Sequence, residues 1–263
     1  MTVIFKCKTS EGYSFKILGE LLLHNIKIAC FVFGQNGISL RMMDQAKTIL
    51  IDLKLQANKF HLYKIDTGTP LNIGVNLSHL YRMIKPIKKH DSIELFIDDE
   101  NPNLLNIKIV PKEGIRVTTS SVQILNTQTI DIDLPNEYTN SVLVPSTEFQ
   151  KMCKNLGVIS PNTQISASRF MIKFANNDNG TMQQSTEFGV LDDDDRINYD
   201  EEYETEQLSK ITKLSGLSTT IQIFTEQNSP IMFKTDVGKL GEISIFLKSK
   251  NMKESESLAN EDD

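Results

Sequence analysis

Three short stretches of this 263-residue chain repeat one pattern: an apolar residue, a spacer, a cation, an apolar residue, a spacer and a second cation. They read Leu80-Tyr81-Arg82-Met83-Ile84-Lys85, Phe149-Gln150-Lys151-Met152-Cys153-Lys154 and Leu208-Ser209-Lys210-Ile211-Thr212-Lys213. On a helix, residues three apart share a face, so each stretch shows two cations beside an apolar stripe. A pair of cations repeated in this way suits a polyanion. The chain as a whole carries a formal net charge of −6, so its positive charge is segregated onto one surface, and a different surface must meet any partner that tolerates acid.

Other chemistry is sparse. His24, His61, His79 and His90 are isolated, and no His-Glu-x-x-His, Cys-x-x-Cys or Gly-x-Ser-x-Gly occurs. No Gly-rich phosphate loop follows a strand. His79 lies on a cationic helix, where a surface residue is favoured over a base. The sequence nominates no catalytic residue, no metal ligand set and no cofactor, and the chain reads as a non-enzyme. Asp192 to Glu206 is densely acidic, but four adjacent aspartates cannot all face one ion without a special turn, so a solvated loop is the preferred reading over a metal site. Cys7, Cys30 and Cys153 are scattered in apolar settings and read as buried free thiols rather than a disulfide framework.

Four helical windows have to position the cations: 14–30, 75–89, 145–157 and 204–214. Together they hold ten Lys and Arg against four Asp and Glu. Pro145-Ser146 starts the third window, Ser78 starts the second and Pro86 stops it. Strands fill the intervals. Ile38 to Leu55 alternates around a turn at Asp44-Gln45-Ala46-Lys47, and 91–97 and 104–110 alternate around Asp98 to Asn103. Segments 165–174, 219–224, 231–235 and 243–247 complete the set. Lys85, Lys154 and Lys213 are separated by 69 and 59 residues, so the plan is a helix followed by several strands, repeated four times. Two copies per domain give two domains of about 130 residues. The expected boundaries are 1–117, a connector at 118–137, 138–250, and a disordered acidic tail at 251–263.

The connector carries Ile124, Leu125, Ile130, Ile132 and Leu134, which a plain linker would lack. It is either an edge strand over a core or a partly exposed docking strip. No apolar run approaches the length of a membrane span, and the N-terminal residues alternate like a strand and lack a signal peptide's apolar core.

Gly37-Ile38-Ser39-Leu40-Arg41-Met42-Met43-Asp44, followed by Thr48-Ile49-Leu50-Ile51, resembles the strand-turn-strand of DNA sliding clamps of the proliferating cell nuclear antigen (PCNA) family. Gly74-Val75-Asn76-Leu77, Leu134-Pro135-Asn136-Glu137-Tyr138, Pro145 to Phe149 with Cys153, and Thr212-Lys213 before Leu217-Ser218 follow in the family's order. The resemblance runs from about residue 15 to 250. It implies an α+β DNA clamp fold: two similar domains, each with two helices packed on antiparallel sheets, assembling into a closed ring. The implied function is a clamp that encircles duplex DNA without reading sequence, confers processivity on DNA polymerase and serves as a docking platform for replication and repair proteins.

Carried over by position, the DNA-facing residues are Lys16, Arg82, Lys85, Lys151, Lys154, Lys210 and Lys213. The family's pocket for short peptides with aliphatic and aromatic anchors corresponds here to Met43, Lys47, Ile132, Leu134, Pro135, Pro230, Phe246, Leu247 and Lys248. The resemblance further implies a polymerase, a clamp loader and other clamp-binding proteins as partners, and a homotrimer closed through edge strands near 115–124 and 179–187. It places the protein in a nucleus or, if viral, at a cytoplasmic replication site. The departures mark a divergent member, as from a virus or a protist. Glu206 stands where a cation is expected, Gly19 interrupts the first helix, and Arg169 replaces a lysine used for ubiquitin-type modification. A checkpoint-type heterotrimeric subunit, an open viral processivity factor and a metal-dependent DNA enzyme are the competing readings.

Overall fold

A computed structural model describes residues 3–127, 131–135, 138–178, 182–190 and 196–261. They form two compact units. One comprises Met1–Met43, Ile51–Ile132 and Asp236–Ile243; the other comprises Asp44–Leu50, Asp133–Thr235 and Ser244–Asp263.

The first unit is built from β1 (Val3–Thr9), α1 (Gly12–Asn25), β2 (Ile28–Gly34), β3 (Gly37–Met43), β4 (Ile49–Gln56), β5 (Leu62–Ile65), β6 (Leu71–Asn76), α2 (Leu77–Ile84), β7 (Ser92–Asp98), β8 (Leu104–Val110) and β9 (Thr118–Gln123). One sheet runs β5-β1-β7-β8-β9, and β4-β3-β2-β6 are neighbours in another. The pairing follows the hydrophobic alternation: Phe5 sits opposite Ile97 and Cys7 opposite Leu95, all four buried. Over these strands α1 buries Ile17, Leu18, Leu21 and Leu22, each contributing about 1.5–3 kcal/mol. Gly19 has a definite use: a Cβ there would lie 2.6 Å from Ile84 Cδ1, so its absence lets α1 approach α2.

The second unit repeats the order. It contains β10 (Asn140–Pro145), α3 (Ser146–Ile159), β11 (Asn162–Ala167), β12 (Met171–Asp178), β13 (Met182–Gly189), β14 (Tyr199–Glu204), α4 (Thr205–Lys210), β15 (Thr220–Thr225), β16 (Ile231–Asp236), β17 (Gly241–Leu247) and a terminal α5 (Lys250–Glu261). The run β10-β15-β16-β17 repeats β1-β7-β8-β9, and β13-β12-β11-β14 repeats β4-β3-β2-β6. Helix α3 buries Phe149, Met152, Cys153 and Leu156, one face at helical spacing. The Phe149 ring packs 6.2 Å from that of Phe174 and 5.5 Å from that of Phe233.

Several expectations change. The first helix ends at Asn25 rather than continuing to 30, because the β-branched and aromatic run from Ile28 enters β2. The fourth window is a short helix followed by a 3-10 turn over Thr212–Gly216. Part of the acidic stretch is not a loop: in β14, Tyr199 and Tyr203 are buried, Asp200 is exposed, and Glu201 and Glu202 are half-buried. Asp192 to Asp195 lie outside the described residues. Of the polar C-terminal segment, Lys250–Glu261 is helical rather than disordered. Its lysines reach the acids of β14, with Lys250 at 3.2 Å from Glu202 and Lys253 at 3.0 Å from Glu204, while Asn251 donates to Glu201 at 2.9 Å. Edge strand β14 is thus capped by a helix held through side-chain polar pairs.

Candidate nucleic-acid interface and docking strip

Helix α2 starts at Asn76, whose carboxamide oxygen accepts from the Ser78 and His79 amides at 3.0 and 3.2 Å. This cap satisfies two of the helix's orphan donors and sets the phase that buries Leu77 and Ile84 while exposing Arg82. Lys85, at the C-cap, is also exposed. Among the described residues neither cation makes an ion pair, and α2 has no acid in its first turn. Lys88 and Lys89 follow, also exposed.

Lys16 behaves differently. It is half-buried, its Nζ donates to the Ile87 carbonyl at 3.0 Å, and it stands 5.8 Å from the Tyr13 ring centroid. The ammonium ties α1 to the segment after α2, so much of its hydrogen-bonding capacity serves the fold.

In the second unit, Lys151 and Lys154 are exposed on the face of α3 opposite Phe149 and Leu156. Lys151 pairs with Glu148 one turn earlier at 2.8 Å. Lys210 is half-buried and pairs with Glu206 at 3.0 Å, so the acid that breaks the sequence pattern holds the neighbouring cation. Lys213 lies on the 3-10 turn and is half-buried. Of the seven expected contacts, Arg82, Lys85, Lys151 and Lys154 are exposed, Lys151 while paired with Glu148, and the other three are half-buried.

The candidate docking residues fall in both units. The turn after β3 is built by Asp44, whose carboxylate accepts from the Thr48 and Ile49 amides at 2.7 and 2.8 Å. Lys47 there is exposed, with a left-handed φ of 56°. The Thr48 carbonyl accepts from the Lys248 amide at 3.0 Å, and Lys248 Nζ reaches both Glu256 oxygens at 2.6 Å. Tyr138 donates its hydroxyl to the Pro230 carbonyl at 2.6 Å, and its ring lies 6.5 Å from that of Phe246. Burial pushes the Tyr138 phenol well above the ordinary tyrosine range. Phe246 and Leu247 are buried, so neither is presented to a partner. Met43, Ile132, Leu134, Pro135 and Pro230 are half-buried.

Both expected closure segments contain sheet edges. Strand β9 ends the five-stranded sheet and β13 ends its four-stranded one. Residues 179–181 of the second segment lie outside the described residues. Strand β9 reads Thr-Thr-Ser-Ser-Val-Gln without a charge, and β13 reads Met-Gln-Gln-Ser-Thr-Glu-Phe-Gly with one.

Across this architecture, the family model for the N-terminal domain of proliferating cell nuclear antigen matches residues 4–135, and that for its C-terminal domain matches 133–250. The chain belongs to the PCNA family. A relative is the "Probable DNA polymerase sliding clamp 1" of Paramecium bursaria Chlorella virus 1, 24% identical over 257 residues, covering 93% of this chain and 96% of that protein.

Within this family member, Arg169 is exposed at the β11–β12 turn, its guanidinium 5.1 Å from the Phe170 ring centroid. Among the described residues no three His, Cys, Asp or Glu side chains converge as a metal site, and no described helix is long and apolar enough to cross a membrane. One residue with a bearing on the connector escapes a reading of the sequence. Arg41 bonds both Asp52 on β4 and the carbonyl of Ile132. Its only signal is a cation at an alternating position of β3, and its partners emerge only once the strands are in register.

Proposed function

We propose that this PCNA-family chain is a sliding clamp. It encircles duplex DNA, serves as processivity factor for a DNA polymerase and docks other replication and repair proteins. The observation that carries the DNA contact is the outward presentation of Arg82 and Lys85 in one unit and of Lys151 and Lys154 in the other, on a chain that is acidic overall. Such cations neutralise phosphates and release counterions without reading bases, which leaves a ring free to slide. Lys16, Lys210 and Lys213 add weaker contacts.

Closure as a homotrimer joins β9 of one subunit to β13 of the next. Natural sheets protect exposed edges with charge, and two nearly uncharged edges in one chain suit pairing with each other. That favours a homotypic ring over an open processivity factor or a heterotrimeric subunit. Peptide partners bind by apolar anchors and main-chain pairing along the connector, through Met43, Lys47, Ile132, Leu134, Pro135, Pro230 and Lys248, which are accessible, while Phe246 and Leu247 are buried. The working place is a DNA replication site, nuclear or, for a viral protein, cytoplasmic.

The test is primer extension on a primed circular template with its polymerase and loader. The wild-type chain lengthens the products, whereas a variant carrying Arg82→Glu, Lys85→Glu, Lys151→Glu and Lys154→Glu does not, while light scattering still reports three subunits. Undiminished stimulation by that variant removes the inner-surface assignment. A wild-type monomer removes the ring.

A further inference from the structure

Asp52 lies on β4 with only 7% of its surface exposed, and both of its oxygens are engaged. Oδ1 accepts from Arg41 Nε at 2.9 Å, and Oδ2 stands 3.1 Å from Lys54 Nζ. The carboxylate fixes the plane of the Arg41 guanidinium. Another nitrogen of the same group, Nη1, then donates to the main-chain carbonyl of Ile132 at 3.0 Å. A second fastening lies earlier in the connector, where the Leu125 amide donates to the Gly74 carbonyl at 2.7 Å. Gly74 permits it, since a Cβ there would stand 2.5 Å from the Leu125 carbonyl oxygen. The connector is therefore pinned to β6 by its backbone and to β3 by one side chain.

We infer that Arg41, oriented by Asp52, is a positioning residue that holds the connector at Ile132 ready to receive a partner peptide. This rests on the docking role proposed above. A strip that captures peptides must otherwise lose backbone freedom at the moment of binding, and ordering it beforehand removes that cost from each encounter. Ile132 is two residues before Leu134, so its anchorage limits where the candidate anchor-binding residues can go. The bond requires a guanidinium. A planar fork reaches a carboxylate and a carbonyl together from different nitrogens, while a lysine brings one ammonium on a flexible stem. Asp52 holds Lys54 as well, so it stays paired when Arg41 is removed, and a loss at Arg41 falls on the connector first.

The test uses the full chain in its native assembly and a short synthetic peptide bearing aliphatic and aromatic anchors. Amide hydrogen exchange is read over 131–134, and peptide affinity by fluorescence anisotropy. Arg41→Met is expected to speed connector exchange and weaken the peptide about tenfold, as for one charge-assisted hydrogen bond, through a faster off-rate. Exchange in β7 and β8 and the subunit count stay as in wild type. Arg41→Lys keeps the charge and restores little of either readout, and Asp52→Asn gives an intermediate loss. A residue that only stabilised the fold would raise exchange throughout the first unit and would be rescued by lysine, which overturns the inference. Equal binding and equal connector exchange in wild type and Arg41→Met overturn it alone. A wild-type chain that binds no such peptide overturns the docking reading and this inference with it.

Discussion

The two units repeat one order of strands and helices but load their helices with charge in opposite places. In the first unit the second helix carries the outward pair, Arg82 and Lys85, while Lys16 on the first helix is drawn into a bond with the Ile87 carbonyl at 3.0 Å. In the second unit the first helix carries the exposed pair, Lys151, itself bonded to Glu148 at 2.8 Å, and Lys154, while Lys210 near the end of the second helix is half-buried and pairs with Glu206 at 3.0 Å. Equivalent positions in a repeated fold thus do different work. Backbone topology fixes which surface a helix shows; neighbouring acids and carbonyls decide how much of a cation's charge that surface delivers.

The sharpest way to break this contrast is to remove the two sets separately. Replacing Arg82, Lys85, Lys151 and Lys154 by Ala should abolish most DNA retention. The logarithmic salt dependence should flatten by about 0.9 for each phosphate that is no longer neutralised. Replacing Lys16, Lys210 and Lys213 should leave most of that dependence and instead lower the melting temperature, because Lys16 joins α1 to the chain after α2. Equal salt slopes for the two sets would erase the distinction. Fluorescence anisotropy on duplex DNA across a salt series reads both.

Alkali should separate the units next. Burial raises the phenols of Tyr138, Tyr199 and Tyr203 in the second unit, and that of Tyr63 in the first. The folded protein therefore holds these protons at a pH where the unfolded chain releases them. Their contribution to stability is complete below the unfolded value of about 10 and falls as pH rises above it. The second unit should lose amide protection first as pH climbs past that point, with late tyrosine ionisation near 295 nm as the optical sign. Thiols do not separate the units, because burial raises both Cys7 in the first and Cys153 in the second, the latter to about 12, so each native thiol should resist alkylation until its unit opens. Loss of protection in the first unit before the second would contradict the assignment.

Smaller effects are expected from freeing the engaged lysines. Glu148→Gln and Glu206→Gln remove acids standing 2.8 and 3.0 Å from Lys151 and Lys210. Each pair is exposed enough to be worth at most about 1 kcal/mol, so folding should barely change. DNA affinity should rise for both, and an unchanged affinity would mean that these acids do not moderate the interface.

Much of this contrast was legible in the sequence, and the missing part has a physical cause. The cation pairs and the four helical windows follow from local spacing, as does the Asp44 turn, because their determinants sit within a few residues. Glu206 was visible as an intruder for the same reason. The sequence could not show that the Lys16 ammonium meets a carbonyl 71 residues away, or that Arg41 meets one 91 residues away. Such partners depend on strand register. Two elements were misread because charge obscured them. In β14 the two tyrosines that define its inner face lie among acids, and α5 has little apolar surface of its own. Its order comes from pairing with β14, as Lys253 with Glu204 at 3.0 Å shows.

A final comparison concerns the glycines in the corresponding helices α1 and α3. Gly19 faces α2, and an added methyl would sit 2.6 Å from Ile84 Cδ1. Gly157 is exposed on α3, and an added methyl meets nothing nearer than Ser209 Oγ at 3.7 Å, an ordinary contact. Alanine at 157 therefore gains helix propensity with no steric cost and should stabilise the second unit by up to about 1 kcal/mol. Alanine at 19 receives the same propensity gain but must displace Ile84, the last residue of α2, next to Lys85. Its net effect on stability should be the smaller of the two, and it should disturb DNA retention where Gly157→Ala does not. Thermal unfolding and the salt series on the two variants decide this, and equal behaviour would mean that the close approach of α1 to α2 has no bearing on how α2 presents its cations.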